Sequence, residues 1–413
     1  MRQICTPQHN TAVLEFPNDC QSGCSASRVN LQFNILPFTS DRALMATKGF
    51  AAADAEPAYL RARELGQQTE DTPKLVTALR GLQLFYNVSG KIHVAREVGE
   101  QMLRLAERQQ DPEFLAESYR GLGMALWYLG ELVAARDYFE QGLALHLSQD
   151  FRSRTLRSSM HPQVQCLAHL ASLGYPDQAL ARGREALEVA TEMSDPFNIA
   201  WARQRSVMLA LLRREVQACH EHAEAVLVLA TEHGFTQIAM GATGFRGWAL
   251  VMQGHVEAGL EQILQSDTAT RAMGVRMNPW MHAMLAEAYG RSGQIDAGLH
   301  VLADALTWED DDVGGKHVLE AEHHRLTGAL LLQQRDPGAA QAETSFHQAL
   351  DVARHQHAKS LELRAATSLA RLWQQQDKRP DAYDLLAPVY NWFTEGFDTA
   401  DLQEAKALLG ELA

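Results

Sequence analysis

Turn-forming residues recur along this chain about every forty residues, and that interval constrains the fold more than any other feature of the sequence. With the residue at each tight turn as reference, the series is Gly90, Gly130, Gly174, Arg213, Gly254, Gly293, Pro337 and Asp377, with separations between 39 and 44 residues. A fixed period of this size marks stacked supersecondary units, each too small to bury its own apolar face alone. Between the turns the composition is Ala, Leu, Glu, Arg and Gln, all strong helix formers. Each unit therefore reads as an antiparallel pair of helices.

Side chains at fixed offsets from the turns support that reading. Five residues beyond them lie Ala95, Ala135, Ala179, Ala218, Gly259, Gly298, Ala342 and Ala382, every one Ala or Gly. Twelve beyond lie Met102, Gly142, Ala186, Ala225, Ser266, Ala305, Ala349 and Val389, mostly small again. Seven residues separate the two sites, so both face one side of the second helix, where small side chains let a neighbour approach closely. In the first helix the position seven before the turn holds Gly123, Ser206, Gly247, Ala286 and Ala370, whereas Gln83, Leu167 and Leu330 break the pattern. Gly328 lies two residues before Leu330, which points to a register shift caused by a longer turn around Pro337. Asp111–Pro112 and Asp195–Pro196 are helix starts, since Asp caps free amides and proline suits the first turn.

The array is preceded by a head, residues 1–53, in which no apolar period is sustained. Pro7, Pro17, Gly23 and Pro37 interrupt it, and residues 29–38 read as one strand or as no regular element. The head is expected to be irregular, or the remnant of a longer architecture. The repeat array is expected over 54–397, and a capping helix over 398–413. At 413 residues the chain exceeds what a single core supports, which a repeat array accommodates. Lys and Arg number 37 against 51 Asp and Glu, a net charge of -14 that repels a phosphate backbone, so no nucleic-acid partner is expected. Neither a membrane-spanning run nor a secretory leader is evident, which makes the cytoplasm the expected location. The five cysteines, with Cys5, Cys20 and Cys24 near His9 and Cys166 and Cys219 inside helical patterns, read as reduced thiols rather than a disulfide framework or zinc knuckle.

The pattern of a small residue seven before the turn, a large one four before (Tyr86, Leu126, Leu209, Leu250, Tyr289, Trp373), and small ones five and twelve after resembles the tetratricopeptide repeat. Phe139 and Phe346, nine after their turns, match the aromatic site of that repeat's second helix. The resemblance spans residues 55–413, although the period near forty exceeds the 34 usual for the repeat. It implies an all-α fold, an alpha-alpha solenoid forming a right-handed superhelix of about eight helix hairpins. Residues 358–413, above all Trp392-Phe393-Thr394-Glu395-Gly396-Phe397-Asp398, are similar to the carboxyl-terminal repeat arrays of bacterial adenylate cyclase and signalling-ATPase multidomain proteins.

Ser89-Gly90-Lys91-Ile92 lacks the upstream glycine and the hydroxyl of a phosphate loop and reads as a hairpin turn. No nucleophile elbow, paired-histidine zinc motif or dinucleotide fingerprint occurs. His317, Glu320 and His324 could share one helix face, but their acidic surroundings read as solvated surface, as do His355 and His357. No metal, cofactor or enzymatic activity is expected.

In tetratricopeptide arrays the concave groove is lined by the first helices, at positions 13, 10, 6 and 3 before the turn. Carried onto this chain, those offsets select Arg80, Arg120, Trp127, Arg203, Trp248, Trp280, His324, Arg364 and Arg371 as groove residues. Arginine forks and tryptophan anchors suit a protein or peptide partner, an acidic or phosphorylated one in particular. The resemblance thus leads to a non-catalytic recognition scaffold or sensor in signal transduction. The alternatives are a truncated form or subunit of an adenylate cyclase or ATPase, and the effector-binding part of a transcriptional activator.

Overall fold

The computed structural model describes residues 55–69, 71–147, 170–276, 278–306, 317–334 and 338–413, all within one compact unit, Met45–Ala413. The expected head, the strand reading at 29–38, Cys5, His9, Cys20, Cys24, Cys166, Leu167 and the turn at Pro337 lie outside the described residues.

Among the described residues every regular element is a helix. In chain order these are α1 (Ala55–Gln68), α2 (Thr72–Ser89), α3 (Ile92–Gln109), α4 (Pro112–Tyr128), α5 (Leu132–Leu147), α6 (Pro176–Glu192), α7 (Pro196–Leu212) and α8 (Val216–Glu232). They continue with α9 (Thr236–Met252), α10 (Val256–Ala272), α11 (Pro279–Arg291), α12 (Ile295–Leu306), α13 (Glu320–Leu331), α14 (Ala339–His355), α15 (Lys359–Gln375), α16 (Arg379–Asn391) and α17 (Ala400–Leu412). Each packs on its sequence neighbour, apart from α5 and α6, between which residues 148–169 fall, and first helices of successive hairpins also touch one another, so the hairpins form a tetratricopeptide-like α-solenoid. Within the described residues no helix is long and apolar enough to cross a membrane.

What sets the period is a left-handed residue at nearly every helix end. Positive φ occurs at Gly90, Gln110, Gly130, Gly174, Ser194, Arg214, Gly234, Gly254, Gly274, Gly293, His357, Asp377 and Gly396, so the chain reverses about every twenty residues, both within and between hairpins. The amides that follow close a Schellman-type cap. After α4, Gly130 N donates to Trp127 O at 3.0 Å and Glu131 N to Leu126 O at 2.9 Å, satisfying carbonyls the helix leaves free. The same pair of bonds ends α7 at Arg214 and Glu215, and α9 at Gly254 and His255.

That cap corrects the register of the fourth hairpin. Its left-handed residue is Arg214, not Arg213, so the seam residues five and twelve beyond it are Cys219 and Val226, both fully buried, while Ala218 and Ala225 are only half-buried. Burial pushes the Cys219 thiol up to about 12. In the first helix Val207, rather than Ser206, takes the buried site seven before the turn. The shift foreseen for the seventh hairpin is present. A Cβ on Gly328 would lie 2.6 Å from the Phe346 ring, as one on Gly123 would lie 2.9 Å from Phe139. Each phenylalanine thus seats on a glycine of its partner helix, a burial worth about 1.5–3 kcal/mol. At Gly247 and Gly259 the two backbones themselves meet: a Cβ on Gly259 would run into the Gly247 carbonyl oxygen.

The superhelix winds tightly enough for hairpin tips to meet helix starts one turn on. Arg276 N donates to Val88 O at 3.1 Å, Val318 N to Tyr128 O at 3.1 Å, and Ser360 Oγ to Ala171 O at 2.6 Å across 189 residues. At 39 to 44 residues per hairpin that span is between four and five hairpins per turn. Gly130 and Gly174 lie at these contacts, where a Cβ would meet Gln356 and Trp392; Gly254 and Gly293 have open space instead. The Trp392–Asp398 run closes the last contact. Glu395 accepts from the amides of Asp177 and Gln178 at 3.0 and 3.1 Å, capping α6, while Gly396 N donates to Asp177 Oδ2 at 2.9 Å.

Three buried histidines sit behind this closure. His317 and His323 have ring centroids 4.7 Å apart, with His282 6.1 Å from His323. Leu319 N donates to His317 Nδ1 at 3.2 Å, and Gln356 Nε2 donates to His317 O at 3.0 Å, tying the cluster to the second-hairpin tip that Gln356 contacts. Burial, with the neighbouring Arg271, lowers His282 to about 4; burial, with His282, lowers His317 to about 3.

Two outcomes follow from this packing. Gly259→Ala, which drives a methyl into the Gly247 carbonyl, is expected to cost about 1–3 kcal/mol, read as a lower urea midpoint at unchanged slope. The unfolded chain protonates His282 and His317 below about pH 6.5, whereas the folded chain does so only near 4 and 3. Stability is therefore complete above that window and falls as pH drops through it, by up to about 1.4 kcal/mol per pH unit for each histidine. Thermal melts from pH 7.5 to 5 are expected to show the fall, with a shallower slope in His317→Gln.

Candidate functional site

The inner ends of the first helices wall a cavity of about 170 Å³ at the axis of the array. Consecutive units contribute to it: Leu211 and Leu212 of α7, Trp248 of α9, Trp280 and Glu287 of α11, Glu322 and Arg325 of α13, Arg364 and Arg371 of α15, with Asp401 and Glu404 of α17 closing the far side. These side chains converge because helices stacked at a constant angle turn the same face inward at each repeat.

The wall carries four guanidinium groups, on Arg214, Arg325, Arg364 and Arg371, and four carboxylates, on Glu287, Glu322, Asp401 and Glu404. Arg364 is the hub. Its Nε donates to Asp401 Oδ2 at 2.7 Å, Nη1 to Glu322 Oε1 at 3.4 Å, and Nη2 to the carbonyl of Leu212 on the facing turn. Although burial opposes its charge, Asp401 and Glu322 hold its pKa above the ordinary arginine value. Arg325 forks onto Glu322 at 2.8 and 2.9 Å, and Arg214 spans Asp401 and Glu404 at 3.1 and 3.0 Å. Burial alone would raise the pKa of Glu322, but Arg325 and Arg364 outweigh it and hold it low.

Glu287 differs from the other carboxylates. It accepts from Trp248 Nε1 at 2.6 Å but has no cationic group within ion-pair distance among the described residues. Burial raises its pKa, and the Trp248 bond only partly offsets this.

Of the residues chosen from the sequence, Trp248, Trp280, Arg364 and Arg371 share this wall. Trp127, from the second hairpin, stacks on Trp280 with centroids 6.4 Å apart and so lies beside it. Arg80 and Arg120 meet on Glu117, at 3.9 and 2.6 Å, away from the cavity lining. Two residues lie on other helix faces, for reasons of register. With Arg214 as the turn, the position ten before it is Gln204, and Arg203 is half-buried near His222, whose pKa burial and Arg203 together lower. With the seventh hairpin displaced by two, the groove positions are Glu322 and Arg325. His324 is half-buried outside the lining.

Sequence reasoning also missed Glu287, Arg214, Asp401 and Glu404. Glu287 lies six before Gly293, at an offset that lines the groove, but a carboxylate there lacks the Arg or Trp chemistry that marks a binding anchor. The others come from a turn and from the cap, outside the offset rule. Among the described residues no group of three or more His, Cys, Asp or Glu side chains is gathered to hold a metal ion.

No family model matches the chain, and no curated protein matches it. Solved structures do. A Rap protein complexed with Competence and Sporulation Factor superposes with a TM-score of 0.59 at 11% identity, over 94% of this chain and 100% of that one. A signal-transduction ATPase with numerous domains and a tetratricopeptide repeat sensor, from Pyrococcus horikoshii, gives a TM-score of 0.40 at 12% identity, over 86% of this chain and 55% of that one. At such identities the likeness is one of fold.

Arg364→Met would strand Asp401 and Glu322 with fewer cations in a buried wall, and the expected loss is about 3–5 kcal/mol in urea denaturation. A change below about 1 kcal/mol would show that solvent screens the network as it does surface pairs.

Proposed function

We propose that the chain is a non-catalytic recognition array in signal transduction, and that its axial cavity receives a segment of a protein or peptide partner. The observation that carries this reading is the composition of the wall. Five first helices present both signs of charge and two tryptophans to one enclosed space, and Glu287 retains accepting capacity that no cation among the described residues takes up as an ion pair. A peptide supplies what such a wall can use, namely backbone amides to donate, charged ends or side chains, and apolar side chains to lie on Trp280. The tetratricopeptide-like fold supports the reading as well, since a stack in which each hairpin rests on its neighbours can transmit a change at the axis along its length.

Affinity purification with mass spectrometry on the full chain tests it. Arg371 is exposed at the cavity rim and Glu287→Gln keeps its shape, so Arg371→Glu and Glu287→Gln should both fold. Partners captured by the wild type are expected to fall about tenfold or more in both variants, as for interface anchors worth over 1.4 kcal/mol. An unchanged capture profile in the two variants would remove the cavity from the binding reaction.

A further inference from the structure

Among the described residues Arg205 is a buried cation without an anion. It is 8% exposed, its guanidinium lies 4.7 Å over the Trp201 ring, and Nη1 points at the Met208 sulfur at 3.1 Å. Its Nε has no hydrogen-bond partner, and no carboxylate of the described residues lies within ion-pair distance. Burying a guanidinium is costly unless it is paired, and native chains leave few such groups unsatisfied. Burial lowers its pKa, with Tyr128 opposing that and Arg120 adding to it.

Its position explains what it faces. Arg205 stands nine residues before the left-handed Arg214, the register position at which Met284 and Ser368 line the axial cavity relative to Gly293 and Asp377. Trp201, beneath it, stands thirteen before, where Trp280 and Arg364 line that cavity. Arg205 therefore belongs to the same inward surface, on the stretch of it contributed by the earlier hairpins. Charge is distributed unevenly along that surface. Around the cavity the four guanidiniums meet four carboxylates, whereas Arg80 and Arg120 share Glu117 and Arg205 has no share in it. Two further donors of this inner surface, Trp127 Nε1 and Trp280 Nε1, are buried without acceptors.

We infer that Arg205 is the binding point for an anionic oxygen group of the ligand, a carboxylate or a phosphoryl group, which would complete the hydrogen bonding that the described residues leave open there. The inference rests on the recognition reading above and adds to it the chemistry of one end of the ligand. A planar guanidinium stacked on an indole leaves its in-plane N–H edge free to fork onto two oxygens.

The test uses two small probes, N-acetylglutamate and inorganic phosphate, titrated at constant ionic strength into the full chain while tryptophan emission is followed. Trp201 lies against the guanidinium and reports occupancy. The wild type is expected to show a saturable change with one or both probes. A response to N-acetylglutamate identifies a carboxylate as the natural group, and a response to phosphate identifies a phosphoryl group. In Arg205→Met the affinity is expected to fall about tenfold or more, the loss of one charge-assisted hydrogen-bonded pair. Arg205→Lys, which keeps the charge but loses the fork, is expected to be intermediate, and Arg104→Ala, at an exposed arginine of α3, to bind as the wild type does. A wild type unresponsive to both probes, or an equal response in Arg205→Met, overturns the inference. The titration needs no partner, so it can fail while partner capture succeeds, and the reverse.

Discussion

The structure depends on how closely two helix backbones can lie. Gly259 sits against the Gly247 carbonyl, Phe139 fills the space that Gly123 leaves, and Ala95, Ala135, Ala179, Ala342 and Ala382 are fully buried at equivalent sites. Side chains this small remove the usual spacing between helices, so the angle within a hairpin is set by backbone contact rather than by side-chain repacking. Repetition of one angle produces a superhelix. The left-handed residue every twenty positions returns the chain at a constant interval, keeping the angle in phase.

Tight winding has a consequence for chemistry. Because hairpin tips reach the helix starts one superhelical turn on, the inner face becomes an enclosed wall, and charges that an open groove would expose to water are withdrawn from it. In that setting Arg364, Glu322 and Asp401 form a connected network, with a protein-wide charge of -14 that the local wall does not share. Enclosure also makes the exceptions informative. A Glu287 or Arg205 without an ion-pair partner on the surface would be unremarked, but on a buried wall each has a desolvation cost that its described neighbours offset only in part.

Much of the architecture was legible in the sequence, because the offsets of small residues from the turns report directly on the seam. The readings slipped where a turn residue did not look like one. Arg214 adopts the left-handed conformation in place of the glycine used by neighbouring hairpins, and choosing Arg213 moved the groove assignment from Gln204 to Arg203. A one-residue error on a helix rotates the face by about 100°. In the seventh hairpin Gly328 reveals a two-residue displacement, which at the groove exchanges His324 for Glu322 and Arg325.

The site divided along a similar line. Trp248, Trp280, Arg364 and Arg371 came from the repeat register, since a periodic sequence places equivalent residues on equivalent faces. The function of the Trp392–Asp398 run, the participation of Asp401 and Glu404, and the isolation of Arg205 did not. By itself the sequence determined the unit, its helices and its inward face, because those follow from periods of a few residues to about forty. The tertiary structure alone decided which residues meet across 189 positions and which charges among the described residues lack an ion-pair partner. Both depend on the accumulated winding of four to five hairpins, a sum of small rotations that no local pattern records.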